Sequence, residues 1–129
     1  MAEITLNEAA FFERLPEVLP LYICFREKVM QRYGSIGVGI KVSKTQIAFR
    51  NKYVFAVVSL PMRRIGNLPK EYMLITFGLP YKAESRRILQ TVEAYPGRWT
   101  HHIAVTRPEE IDEEFFVKID EAFYFSLGK

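Results

Sequence analysis

The chain has 129 residues, of which 49% are hydrophobic and 26% charged, with a formal net charge of +3. That length and composition suit one globular domain over residues 1–129, with a core large enough to need neither disulfide nor metal. The single cysteine, Cys24, excludes an internal disulfide framework and suits a reducing cytoplasm, and no run of about 18 apolar residues is present to form a transmembrane helix.

The opening stretch MAEITLNEAAFFERL carries acids and no long apolar run, so neither a secretory signal nor a targeting peptide is expected. It does carry a capping box. Thr5 and Glu8 sit three apart ahead of Ala9, Phe11 and Phe12, which predicts a short helix over 6–14. Pro16 interrupts. A longer helix then runs to Tyr33 and stops at Gly34, with Leu21, Tyr22, Phe25, Val29 and Tyr33 at helical spacing and Pro20 in the first turn.

The period then changes to two. Ile36, Val38, Ile40 and Val42 alternate with Gly37, Gly39, Lys41 and Ser43, the pattern of a half-buried strand. Ser43-Lys44 reads as a turn, Thr45 to Arg50 as a second alternating strand, and Asn51-Lys52 as a second turn. On this alternation Lys41, Gln46 and Arg50 share the face opposite the apolar residues. Tyr53 to Leu60 is apolar on both faces and reads as a central strand. Pro61 to Pro69, with Arg63, Arg64 and Gly66, reads as a loop, and Tyr72 to Phe77 as a strand ended by Gly78 and Pro80. Residues 87–94 fit either a helix or one arm of a hairpin about Tyr95-Pro96-Gly97, pairing with Trp99 to Val105; the hairpin is favoured. Thr106-Arg107-Pro108-Glu109 reads as a second capping box. It opens a final helix with Ile111, Phe115, Ile119, Ala122 and Phe123 on its inward stripe. The expected fold is α+β: a two-layer domain with an antiparallel sheet of about five or six strands packed on N-terminal and C-terminal helices.

Tyr95-Pro96-Gly97-Arg98-Trp99-Thr100-His101-His102 gathers the one Trp and both His residues of the chain. Together with Val42-Ser43-Lys44-Thr45-Gln46-Ile47-Ala48-Phe49, Phe55-Ala56, Ile75-Thr76-Phe77-Gly78-Leu79-Pro80 and the acidic helix start Glu110-Ile111-Asp112, it resembles the bacterial family Domain of Unknown Function 5655. The resemblance implies a small α+β domain, found alone or attached to larger bacterial proteins. It implies no particular activity, cofactor or substrate.

Alternation puts His101 and His102 on opposite faces of a strand, so the two cannot hold one metal, and no third His or second Cys completes a site. His101 shares a face with Ile103 and Val105 and reads as core; His102 shares one with Thr100 and Ala104 and reads as nearer solvent. Cys24 lies mid-helix, away from anything that would lower its pKa, and reads as a small buried residue. Ser43, Ser59 and Ser85 fit no nucleophile elbow, and the glycines of 34–39 precede a strand, which argues against a phosphate-cradling loop. No cofactor or metal is expected.

The charge is uneven. Residues 41–107 hold 12 basic against 3 acidic residues, whereas residues 108–129 hold 2 against 7. The basic middle either meets an anionic partner or is neutralised by the acidic end of the same chain. The leading expectation is a non-catalytic cytoplasmic binding or interaction module. Its basic sheet surface of Lys41, Lys44, Gln46 and Arg50, with Arg98, Trp99 and His102, would meet an anionic ligand, a nucleic acid or a protein. The alternative is a small enzyme with His102 as general acid or base, Asp112 or Glu110 orienting it and Arg98 clamping an anion. A third reading, assembly through an apolar surface, leaves the oligomeric state open.

Overall fold

In the computed structural model, which describes residues 4–61 and 71–128, the capping box forms as its residues dictate. Thr5 Oγ1 accepts from the Glu8 N–H at 3.1 Å, and the Glu8 carboxylate accepts from the Thr5 N–H at 2.8 Å. Helix α1 (Leu6–Phe11) ends earlier than the apolar spacing suggests, because Phe12 turns inward against the Tyr22 ring and the chain bends towards Pro16. A 3-10 turn over Pro16–Val18 leads into α2 (Leu19–Tyr33), which stops at Gly34. Pro20 sits in the first turn of α2, where no N–H is needed.

Among the described residues six strands follow: β1 (Gly39–Val42), β2 (Ile47–Arg50), β3 (Val54–Ser59), β4 (Met73–Leu79), β5 (Ile88–Tyr95) and β6 (Arg98–Val105). Every neighbouring pair is antiparallel, and the order across the sheet is β1-β2-β3-β4-β6-β5. The ambiguous stretch at 87–94 is therefore a hairpin arm. β1 starts three residues later than the alternation predicts. Gly37 takes φ of 115°, which breaks the extended run, and the Ile36 N–H bonds back to the Tyr33 carbonyl, leaving Ile36 exposed. The loop read at 61–69 lies, apart from Pro61, outside the described residues.

β4 continues through Gly78 to Leu79. A Cβ at Gly78 would stand 2.5 Å from the Arg98 guanidinium carbon, so the missing side chain makes room for that arginine to cross the strand. The last helix also departs from the sequence reading. Thr106 and Glu109 do not cap it. Instead Pro108–Glu110 forms a 3-10 turn whose Glu110 carboxylate accepts from the Thr106 and Arg107 N–H groups at 2.7 and 3.1 Å. Helix α3 (Glu113–Leu127) begins only after Asp112, which caps the Phe115 N–H at 2.9 Å. Buried Ile111 pins the intervening turn.

Both long helices lie on one face of the sheet. Met73, Ile75, Phe77 and Leu79 of β4 and His101, Ile103 and Val105 of β6 are buried beneath them, with Ile47, Phe49, Ala56 and Val58 from the neighbouring strands. Phe55 breaks the alternation. Phe49 pairs with Ala56 and Arg50 with Val54, so Phe55 is the extra residue of a bulge. It turns towards the helices and meets the rings of Tyr33 and Phe123 edge-on at 5.7 and 4.9 Å.

α1 is held to α2 by charge. Glu8 and Arg26 are 1% and 6% exposed, and Arg26 Nε bonds to Glu8 Oε2 at 2.7 Å, with the Tyr22 hydroxyl donating to the same oxygen. Burial alone would raise the Glu8 carboxyl, but Arg26, Tyr22 and the Thr5 N–H together hold it below its ordinary value.

Two stability outcomes follow from this packing. Phe55→Ala, at a side chain 3% exposed, should cost about 3–5 kcal/mol in urea unfolding; a loss under about 1 kcal/mol would contradict the bulge packing. Glu8→Gln should cost a similar amount, about 3–5 kcal/mol, because the buried Arg26 guanidinium loses the carboxylate charge at 2.7 Å. The double variant Glu8→Gln/Arg26→Met should recover part of that loss. No recovery would mean the pair does not act as a unit.

Candidate functional site

The second face of the sheet has a different chemistry. Facing pairs place Lys41, Ala48, Val57, Thr76, His102 and Gln90 in one row that crosses all six strands. At ordinary strand spacing the row is about 24 Å long. Leu74, Thr76, Thr100, His102 and Ala104 are half-buried on this face, and Met73, Ile75, Phe77, His101, Ile103 and Val105 between them are buried on the other.

At the β1–β2 end, Lys41, Gln46 and Arg50 line one small pocket of about 270 Å³ with Ser43, Ala48 and Val54. The hairpin turn shapes this pocket: the Ser43 hydroxyl bonds to the Gln46 carbonyl at 3.0 Å and the Ser43 N–H to the same carbonyl at 2.9 Å. Among the described residues neither Lys41 nor Arg50 has an ion-pair partner. Lys44 lies in the turn itself and lines a separate depression with Arg14 and Phe11.

The structure does not bring the rest of the expected site to this pocket. The Arg98 guanidinium lies over Gly78 and 5.9 Å from the centre of the Phe125 ring. Trp99 pairs with buried Leu79, on the helix side of the strand, and is half-buried. His102 is on the open face, with Nδ1 at 2.8 Å from Thr76 Oγ1. Asp112 belongs to the helix layer, where it caps α3 and pairs with Arg87 at 3.0 Å. Glu110 is held by backbone N–H groups. Neither acid orients His102. The physical reason is alternation: it is His101, not His102, that looks towards the helices.

His101 is fully buried. Its ring stacks on Phe77, with centroids 5.2 Å apart and planes at 9°. The Ala83 N–H donates to Nε2 at 3.0 Å, so the neutral ring carries its proton on Nδ1, which faces the backbone of Phe77 and Trp99 without a hydrogen bond of normal geometry. Cys24 is only half-buried. Among the described residues no group of three His, Cys, Asp or Glu side chains could hold a metal ion, and no helix is long and apolar enough to cross a membrane.

A groove that the motif reading missed lies between the start of β5 and the start of α3. It measures about 570 Å³, has Ile88, Ile103 and Phe115 in its lining, and carries both acids and arginines. Its residues come from three separate stretches of chain, so no local pattern announces it.

A family model described as a domain of unknown function, DUF5655, matches residues 11–126. The chain belongs to this family. Comparisons with curated proteins and with solved structures gave no match. What the geometry of this DUF5655 domain offers is cationic and polar hydrogen-bond donors on an open sheet, with both histidines tied to structural partners.

Burial is the largest influence on both histidines and lowers the pKa of each from 6.5. The folded chain therefore binds fewer protons than the unfolded chain once the pH falls below about 6.5, and stability drops as the pH falls further. An imidazolium at His101 would also present an N–H where the Ala83 N–H needs an acceptor. The urea midpoint should be flat with respect to these groups above about pH 7 and should fall from about pH 6.5 downwards, before the carboxylates titrate. A midpoint unchanged down to about pH 5 would show that neither ring is penalised on protonation.

Proposed function

We propose that this DUF5655 domain is a non-catalytic binding module whose open sheet face takes a phosphate-bearing ligand at the β1–β2 end. The observation that carries this reading is the convergence of Lys41, Gln46 and Arg50 on one pocket, with neither cation engaged in an ion pair among the described residues. Water already solvates exposed charges, so such cations contribute little to stability. They can do more for association, because a phosphate group that meets two cations releases counterions. Gln46 adds an amide that can donate to the same anion.

The pocket is small, about 270 Å³, which favours part of a larger anion over a wholly engulfed metabolite. Small residues on the neighbouring strands, Ala48, Ser59, Thr76 and Ala104, leave a flat platform on which such a ligand can lie. His102 sits in mid-platform as a polar contact bonded to Thr76, with no acid bonded to it among the described residues. The single cysteine suits a reducing compartment, and in this reading the domain works in the bacterial cytoplasm.

Fluorescence polarisation with a labelled short single-stranded oligonucleotide at low salt tests this reading, with inorganic pyrophosphate and a polyglutamate peptide as competitors. Binding should weaken as salt rises, and Lys41→Ala or Arg50→Ala should each reduce the slope of log affinity against log salt by about one. Absence of binding by the oligonucleotide and by pyrophosphate, or binding untouched by both substitutions, would sink the proposal.

A further inference from the structure

The groove between β5 and α3 carries an inference separate from the sheet face. Its apolar lining is Ile88, Ile103 and Phe115, and the last two are only 5% and 2% exposed. Several of the charges around it are used within the fold. Arg87 pairs with Asp112 at 3.0 Å and with Glu114 at 4.0 Å, and also donates to the Glu110 carbonyl. The Glu110 carboxylate serves the Thr106 and Arg107 N–H groups, and Lys118 serves Glu121 and Tyr81. Among the described residues that leaves Arg86 and Arg107, and likewise Glu84 and Glu109, lining the groove without an ion pair.

A pocket with an apolar floor and charges of both signs outside any close ion pair selects by complementarity. A ligand with one charge satisfies one pair of groups and is repelled by the other. A ligand with both signs and an apolar side chain satisfies all three features. We propose that this groove binds a small apolar zwitterion, a free amino acid of the leucine type or a short peptide of such residues. The carboxylate is met by an arginine, Arg86 or Arg107, the ammonium by an acid, Glu84 or Glu109, and the side chain rests against half-buried Ile88, with Ile103 and Phe115 beneath. Its volume of about 570 Å³ leaves room for bridging water beside a single amino acid, or for a second residue.

Isothermal titration of the full chain with L-leucine and with leucyl-leucine separates the two sizes of ligand. At least one should bind. The N-acetylated and the C-amidated forms of that ligand should each bind at least about tenfold more weakly, because each removes one charge. Arg107→Ala and Glu84→Gln, both at exposed positions, should weaken the unblocked ligand at least about fivefold while leaving the urea midpoint essentially where it was. The inference is overturned if neither zwitterion binds at millimolar concentration, if the blocked forms bind as well as the free one, or if both substitutions leave binding unchanged. The first arm uses the unmodified protein, so a variant that fails to fold does not obscure the answer.

Discussion

The fold depends on one interlocked set of rings. Phe25 of α2 meets Phe49 of β2 edge-on at 5.2 Å and stacks on Phe116 of α3 at 6.1 Å. One end of the same helix presents Tyr33, stacked on Phe123 at 4.2 Å, and both rings close on Phe55. Aromatic contacts of this kind tie two helices and two strands together at once, and each ring buries a large area. The Phe55 bulge is what lets the third strand join in. Without the extra residue Phe55 would point to the open face, and the cluster would lose the ring that Tyr33 and Phe123 both meet.

Polar contacts then lock that arrangement in register. Arg32 of α2 reaches Glu113 at 2.9 Å and Asp120 at 3.4 Å of α3, and the Tyr33 hydroxyl donates to the same aspartate. Asn51 at the β2–β3 turn donates to the Phe123 carbonyl at 3.1 Å and to the Ser126 hydroxyl at 2.9 Å, so the turn is fastened to the last turns of α3. Many of the C-terminal acids are occupied in this way. The basic residues of the β1–β2 hairpin are not, because that hairpin lies at the far edge of the sheet from β5 and β6, beside which α3 begins. The charge asymmetry of the chain is thus partly cancelled inside the fold and partly left at one edge, and that remainder is the basis for reading the sheet face as a binding surface.

The histidine pair shows how one strand separates two roles. His101 is a neutral core residue that holds a loop N–H and stacks on Phe77. His102, one peptide further on, is a half-buried group of the open face bonded to a threonine. The same alternation that keeps the two from one metal site also keeps His102 away from the acids at the start of α3.

The sequence by itself determined the elements whose signals are local. The Thr5–Glu8 box, the stop at Gly34, the hairpin about Pro96-Gly97 and the inward stripe of α3 are legible because each depends on residues within a few positions of one another. Alternation likewise suffices to put Lys41, Gln46 and Arg50 on one face. What only the tertiary structure decided were the features that join distant residues. Glu8 reads as a capping acid and is also the buried partner of Arg26, 18 positions on. The α3 cap falls at Asp112 and not at Thr106, because buried Ile111 and the Glu110 contacts shape a separate turn first. The groove beside β5 exists only where three chain segments converge, and the bulge at Phe55 follows from the rings it must meet. Local patterns record backbone preference. Which side chains face one another across the layers is set by packing, and packing has no period in the sequence.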